Sequence, residues 1–420
     1  MIERVSLFTS KRDISFFIIA SLFILLISVF VEYTNYKKLT KFDSALVNAL
    51  VLKQYVKTKN GRTYQVLKLK SEDDLTFYTT AKKSLEDIKY KKLHLEIFLP
   101  KLTFYEYLNT FYANSKIIAI KDEQNIKANL NSYISASHVN PKIANIYQAL
   151  YSATPLEFEL QKAFSTLGVS HLLAISGFHL GVLSALLYFI LSPIYGSLQD
   201  KFFPYANKKL HLFMLVSSTL FAYMLFLDSP PSVVRAFGML LVGFILYERG
   251  IKIVSMQTLF LTLLLLLAFF PRLFFSLGFW LSALGVFYIF LFLIHFKHFS
   301  KTLQFILLPF WVYILMLPFS LAIFENFSLY HPLSIIYSVL FTIFYPLSIF
   351  LHVAGFGDLF DTLLESFIAL GTNGLHVKLG YELLILHVTL SLMGIFQRKA
   401  AILTLLCAVF ILIYAIYNVT

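Results

Sequence analysis

The feature that most limits this chain is a succession of long, nearly uncharged apolar runs, first at Ile14–Val31 and then repeatedly from Leu172 onward. Water offers such runs no place. Apolar residues make up 58% of the chain and charged ones 14%, against about 45–50% and 25% in a soluble domain. Part of any folded surface stays exposed, so a core of this size cannot absorb the surplus. The runs predict a polytopic α-helical membrane protein.

Residues 1–13 are short and basic, with Arg4, Lys11 and Arg12, and are expected in the cytoplasm. Residues 14–31 form an anchor, since 18 residues exceed a signal-peptide core and no small-x-small site follows at Val31-Glu32-Tyr33. Further spans are expected at 172–192, 210–227, 232–247, 253–270, 274–295, 302–323, 332–351, 380–396 and 400–418. The clusters Lys201/Lys208/Lys209, Arg249/Lys252, Lys297/Lys301 and Arg398/Lys399 read as cytoplasmic loops. They place residues 32–168 outside the cytoplasm, in a multi-pass inner (cytoplasmic) membrane protein. Past Ile323 the sign rule holds only if 332–351 is re-entrant, turning near Pro346 before an amphipathic surface helix; otherwise 359–376 crosses too. Nine to eleven membrane segments, counting the first, satisfy the pattern.

Residues 32–120 differ in kind. Ala45–Tyr55, Thr63–Leu69, Thr76–Thr80, Leu93–Leu99 and Lys116–Ile120 are short and β-prone, with Asn60-Gly61 as a hairpin turn between the first two. A short helix is expected over 102–112. Five strands and a helix fit an OB-like β-barrel. Its face offers Tyr64, Lys68, Lys70, Phe77 and Tyr78 for stacking bases and attracting phosphates; the favoured alternative is that these aromatics fill the barrel core. Residues 32–168 hold 20 Lys/Arg against 13 Asp/Glu, which suits an anionic partner or a merely solvated surface. Residues 121–168 read as amphipathic connecting helices, 142–151 and 156–167, the second lying on the membrane surface.

Zinc-type Cys/His spacing, HExxH and the P-loop are all missing, and Gly-Lys never occurs, so no metal, cofactor or Walker-type ATP site is expected. Cys407 is the one cysteine, which rules out an intrachain disulfide.

Four polar knots interrupt the apolar runs of residues 169–420: Gly168–Gly181, with His171, Ser176, Gly177 and His179; Asp228–Ala236, with Ser232 and Arg235; Ser276–Gly285, with Ser282; and Glu325–Pro332, with Asn326. Polar groups at membrane depth mark helix packing or a wet cavity. Small residues at helical spacing pack helices, Arg235 can snorkel to an interface, and both histidines can bond neighbouring carbonyls.

The knots resemble the ComEC competence family of DNA-uptake channels. Ser170-His171-Leu-Leu-Ala-Ile-Ser176-Gly177-Phe-His179-Leu-Gly181 is similar to its strongest signature, Pro231-Ser232-Val-Val-Arg235-Ala236 to its PS-x-x-RA element, and Phe279–Val286 to a third, with Ala283 where Phe is common. Asn326–Pro332 with 335–346 matches a fourth more loosely. The resemblance implies passage of single-stranded DNA across the inner membrane, with His171, Ser176, Gly177, His179, Gly181, Ser232, Arg235, Ser282 and Asn326 lining or shaping the way. It also implies the bilayer, an extracytoplasmic DNA receptor and a cytoplasmic motor or strand-binding protein as partners, with homo-oligomers possible. Many members add a metallo-β-lactamase-like domain; here the sequence stops at Thr420 without a His-x-His-x-Asp-His cluster, so a separate nuclease is expected and the chain is not expected to be an enzyme. Rival readings are a small-solute or ion transporter, an intramembrane serine hydrolase using Ser176 with His179 or His171, and a scaffold whose barrel binds glycan or peptide.

Overall fold

The computed structural model describes residues 7, 10–59, 61–73, 75–121, 126–202, 204–205, 207–371 and 374–418. They form two units, one of residues 12–133 with 264–276 and one built mainly of 134–263 and 277–420.

The first unit begins with α1 (Lys11–Leu39), whose apolar side chains point outward along its length, Phe16 and Leu26 among them. At 29 residues it spans about 43 Å, longer than the hydrocarbon core of a bilayer. It delivers the chain into β1 (Ser44–Lys59), β2 (Arg62–Ser71), β3 (Thr76–Ala81) and β4 (Lys92–Phe98). β1 and β2 pair out to Lys59↔Arg62, leaving two residues for the turn the sequence predicts; Asn60 itself lies outside the described residues. The expected helix is shorter than the sequence suggests, α2 (Phe104–Leu108). A capping box starts it: Thr103 Oγ1 accepts from Glu106 N–H and the Glu106 carboxylate accepts from Thr103 N–H. Those bonds hold the Glu106 carboxyl below its usual range.

β5 (Phe111–Tyr112) then runs parallel to β3, and β6 (Asn114–Lys121) antiparallel to β4. The order is β5-β3-β2-β1-β4-β6. The sheet curls until its two edge strands are consecutive pieces of one run, separated by Ala113, whose N–H donates to Tyr78 O at 2.9 Å. It is an open mixed sheet and not the closed barrel expected. β5 offers β3 only two residue pairs before the chain turns across to β4.

The core of the sheet collects Val51, Leu67, Leu69, Phe77, Leu93, Leu95 and Ile97. Phe77 is fully buried and stacks on Phe111 at 5.6 Å, so it cannot be the face residue the sequence suggested. Alternation along β3 sends Tyr78 to the opposite side. A lock closes the base of the unit. Arg272 Nη2 donates to Glu32 Oε2 at 2.7 Å and to Tyr107 OH at 3.0 Å, and its guanidinium lies over the Tyr107 ring. Burial pushes the Tyr107 phenol up to about 12. The chain continues into α3 (Ile126–Ser137).

The second unit holds α4 (Pro141–Ser152), α5 (Phe158–Thr166), α6 (Ser170–Leu173), α7 (Gly177–Phe202), α8 (Lys208–Phe226), α9 (Pro231–Glu248), most of α10 (Met256–Phe269), α11 (Leu277–His295), α12 (Lys301–Phe324), α13 (Ser334–Val353), α14 (Asp361–Leu370), α15 (Tyr381–Gly394) and α16 (Arg398–Tyr417). Two-residue strands β7 (Asn326–Phe327) and β8 (Leu375–His376) pair with each other. Among the described residues eight helices are long and apolar enough to cross a membrane: α1, α7, α8, α9, α11, α12, α13 with the turn at His331–Leu333, and α16.

The differences from the expected spans have local causes. The run 172–192 is broken, because Ala174–Ser176 leave helical geometry and α7 starts afresh at Gly177. α10 and α15 reach only 14 residues, about 21 Å each. Ser255 accepts the Thr258 N–H at the start of α10, and Pro271 follows its end. No turn back occurs near Pro346; α13 runs through it to Val353. α5 does not lay its apolar face on lipid, since Leu160, Ala163 and Phe164 are buried in the protein and Phe164 meets Phe367 of α14.

Phe77→Ala is expected to cost about 3–5 kcal/mol, opening β1–β3 to amide exchange at least about a hundredfold faster in the full-length protein. Tyr78→Ala is expected to move those rates by less than about tenfold. Deuterium exchange read by mass spectrometry checks both.

Candidate functional site

Three of the four knots come together at one point, where α7, α9 and α11 meet. The loop 174–176 turns the chain so that α7 begins beside α9. Ser176 is the residue before the first turn, and its carbonyl accepts the Leu180 N–H. His179, in that turn, reaches back so that Nδ1 accepts from Ser176 N–H at 3.2 Å, with Ser176 Oγ at 3.3 Å. This is half of a capping box, with imidazole in place of carboxylate. Nδ1 accepts, so Nε2 carries the ring proton. That donor is buried, has no hydrogen-bond partner, and sits among the edges of Phe341 and Tyr345 of α13.

α9 is started by Pro231, and Ser232 Oγ donates to Ile175 O at 2.6 Å, tying the head of α9 to the loop before α7. One turn on, Arg235 is 3% exposed. Its Nη1 lies 2.9 Å from Met239 Sδ, Nη2 donates to Ser282 Oγ of α11, and Nε has no partner. Among the described residues no carboxylate pairs with it. A guanidinium has five donors, and a buried unpaired charge costs several kcal/mol. Gly177 makes the approach possible. A β-carbon there would lie 3.2 Å from Ala236 Cβ and 3.5 Å from Arg235 Nη2.

The fourth knot joins the other end of the first and does not join Arg235. His331 is buried, with Nδ1 2.9 Å from Tyr313 OH and its ring stacked on Phe327. Gly168 lies against that ring with φ of +72°; a β-carbon would come within 2.7 Å of it. Ser328 Oγ donates to Thr166 O. Asn326 belongs to this second cluster, opposite His376 in the β7–β8 pair. His171 is exposed, with Nε2 3.3 Å from Ser338 Oγ of α13. Gly181 has open space around it and borders a groove of about 890 Å³ between α7 and α9, lined also by Ser184, Tyr188, Ser192 and Leu240.

The sheet unit carries a separate polar face. β1–β3 contain six Lys/Arg and no Asp or Glu. A bulge between Val51 and Lys53 shifts the register by one, and Lys53, Tyr55, Lys57 and Lys59 therefore lie opposite Lys68, Val66, Tyr64 and Arg62. Lys68 faces Tyr78, with its ammonium 5.8 Å from the ring centre. Burial lowers the Lys68 ammonium and raises the Tyr78 phenol. Lys59, Arg62, Tyr64, Thr80 and Tyr112 line a recess of about 750 Å³. Tyr64, Lys68, Lys70 and Tyr78 are thus joined by Tyr55, Lys57, Lys59, Arg62 and Tyr112, which the sequence reading left out. The alternation Lys-x-Tyr-x-Lys-x-Lys over 53–59 was the signal.

Spanning-length helices around a buried cation define a helical membrane protein. The sequence matches the family described as Competence protein over residues 153–418, more than half of its length, and the chain belongs to that family. The ComEC resemblance of its knots agrees with this. An uncharacterized protein of Aquifex aeolicus (strain VF5) is 31% identical over 142 residues, 34% of this chain and 31% of that protein, so the match spans under a third of the relative. No solved structure matches.

Gly177→Leu is expected to destabilise the helical unit by about 1–3 kcal/mol, because the new side chain displaces Arg235 or Ala236. Gly181→Ala is expected to be neutral or slightly stabilising. Thermal unfolding of the purified protein in detergent separates the two.

Proposed function

We propose that the chain passes single-stranded DNA across the inner membrane during natural competence, with the Arg235 cluster as the point where phosphates are steadied. The observation that carries this reading is the placement of a buried guanidinium beside the amino end of α7. A helix start bears a partial positive charge, so the two repel unless an anion visits. A phosphate would satisfy the free Arg235 Nε beside the first amides of α7. Weak, single-point attraction also suits transport, because a ladder of lysines would hold the strand.

Ser232, Ser282, Gly177 and the Ser176–His179 cap then act by positioning Arg235, and the groove beyond Gly181 is the adjoining part of the path. His171 and Asn326 serve at its margins. The curled sheet acts as an OB-like receiver, its lysines and arginine attracting the backbone and its tyrosines stacking on bases. In this reading residues 32–168 face outward, the chain performs no covalent chemistry, and other proteins supply the receptor, the motor and the nuclease. The Ser176–His179 contact keeps a hydrolase as a second reading; however, the lone pair of His179 Nδ1 is shared with the Ser176 amide, 3.2 Å away.

Arg235→Ala is expected to lower entry of labelled DNA into the cytoplasm at least tenfold at unchanged membrane levels, and Arg235→Lys to restore part of it. Uptake at the unmutated level in both would refute the assignment. For the sheet, replacing Lys57 and Arg62 together with Ala is expected to flatten the salt dependence of oligonucleotide binding by about 1.4 in log–log slope, read by fluorescence anisotropy across a salt series.

A further inference from the structure

A buried ionisable chain lies away from the Arg235 cluster. His138 follows α3, Asp361 opens α14 and His352 closes α13. His138 Nδ1 is 2.9 and 3.1 Å from the two Asp361 oxygens. The other face of the same ring meets a second imidazole, His138 Nε2 to His352 Nε2 at 3.0 Å. His352 Nδ1 is 2.7 Å from the Ser348 carbonyl. His138 and His352 are 7% and 5% exposed, and Tyr147 stacks on His138 at 4.6 Å.

Proton counting fixes what this chain holds. A carbonyl oxygen only accepts, so His352 Nδ1 must donate, and His352 Nε2 is left as a lone pair. His138 Nε2, 3.0 Å away, must then donate to it; two facing lone pairs would repel. A third proton lies between His138 Nδ1 and Asp361. Two neutral imidazoles and a carboxylate supply only two protons. We propose that Asp361, His138 and His352 form a proton-binding site that retains one additional proton at neutral pH, leaving the buried triad without net charge.

The neighbouring groups agree. Tyr151 OH donates to Ser348 Oγ at 2.8 Å, which in turn donates to Tyr345 O. Burial pushes the Tyr147 and Tyr151 phenols up, so neither supplies an anion. Glu365, one turn beyond Asp361, is taken by Asn140 Nδ2 at 2.7 Å. Among the described residues, Asp361 is thus the one carboxylate on the pair. Losing the added proton would break a bond between the residue after α3 and the junction of α13 with α14. The site therefore makes that junction dependent on protonation, independently of any role in DNA transfer.

The test is nitrogen-15 magic-angle NMR of the full-length protein, histidine-labelled, in lipid nanodiscs at pH 7.5. One ring with both nitrogens protonated is expected, absent in His138→Gln and in Asp361→Asn, which keeps an acceptor oxygen but removes the charge. His352→Gln is expected to retain it, since the amide oxygen accepts from His138 Nε2. A spectrum without such a ring, or one unchanged in His138→Gln, overturns the proposal. So does one equivalent of bound transition metal that His138→Gln removes, because a metal would then occupy the place of the proton between the rings.

Discussion

The helical unit is organised around a cation that has been taken out of water with no carboxylate among the described residues to meet it. Arg235 cannot neutralise itself by losing its proton, and a buried charge without a partner costs several kcal/mol. The fold tolerates it by surrounding it with small donors and acceptors: a thioether on its own helix, a serine from α11, and a glycine that removes any side chain from α7. Ser232 and the Ser176–His179 cap fix the backbone around it. Three of the four polar knots are thus one construction in which each residue holds another, and the charge at its centre remains incompletely matched.

The same logic separates this cluster from the others in the unit. His331 is satisfied on one side by Tyr313 and closed on the other by Gly168, which makes it a packing device between α5 and the turn before α13. Tyr288, His387 and Ser391 bond one another across α11 and α15, with His387 Nε2 also on the Leu315 carbonyl of α12. These clusters bind helices together where lipid offers no hydrophobic drive to do so.

Much of this was legible in the sequence. The strands emerge within a few residues of where alternation places them, because β-branched and aromatic residues on a half-buried sheet leave a period of two. The knots also announced themselves, since glycine, serine, histidine and arginine are conspicuous among leucines and phenylalanines. What the sequence concealed was mostly tertiary. Phe77 and Tyr78 are adjacent and chemically alike; only pairing with β2 says which faces the core. Asn326 looked like part of the same site as Arg235, but a two-residue strand sends it to His376. The start of α7 at Gly177 depends on a histidine cap that no simple capping rule includes. His138 and Asp361 are 223 residues apart, and nothing in either neighbourhood advertises the other.

The bulge after Val51 has a consequence for how this protein can vary. Before it, the odd-numbered residues of β1 point to the core; after it, the odd-numbered ones carry lysine and tyrosine outward. One surplus residue therefore reverses which half of the strand is greasy and which is cationic. A lineage could exchange lysine for arginine along this stripe freely, and losing residue 52 would only restore simple alternation with Lys53 still opposite Lys68; losing a codon between 53 and 55 would instead turn Tyr55, Lys57 and Lys59 toward the face of Leu67 and Leu69. Beyond the bulge, the length of this strand is under tighter hereditary constraint than its spelling.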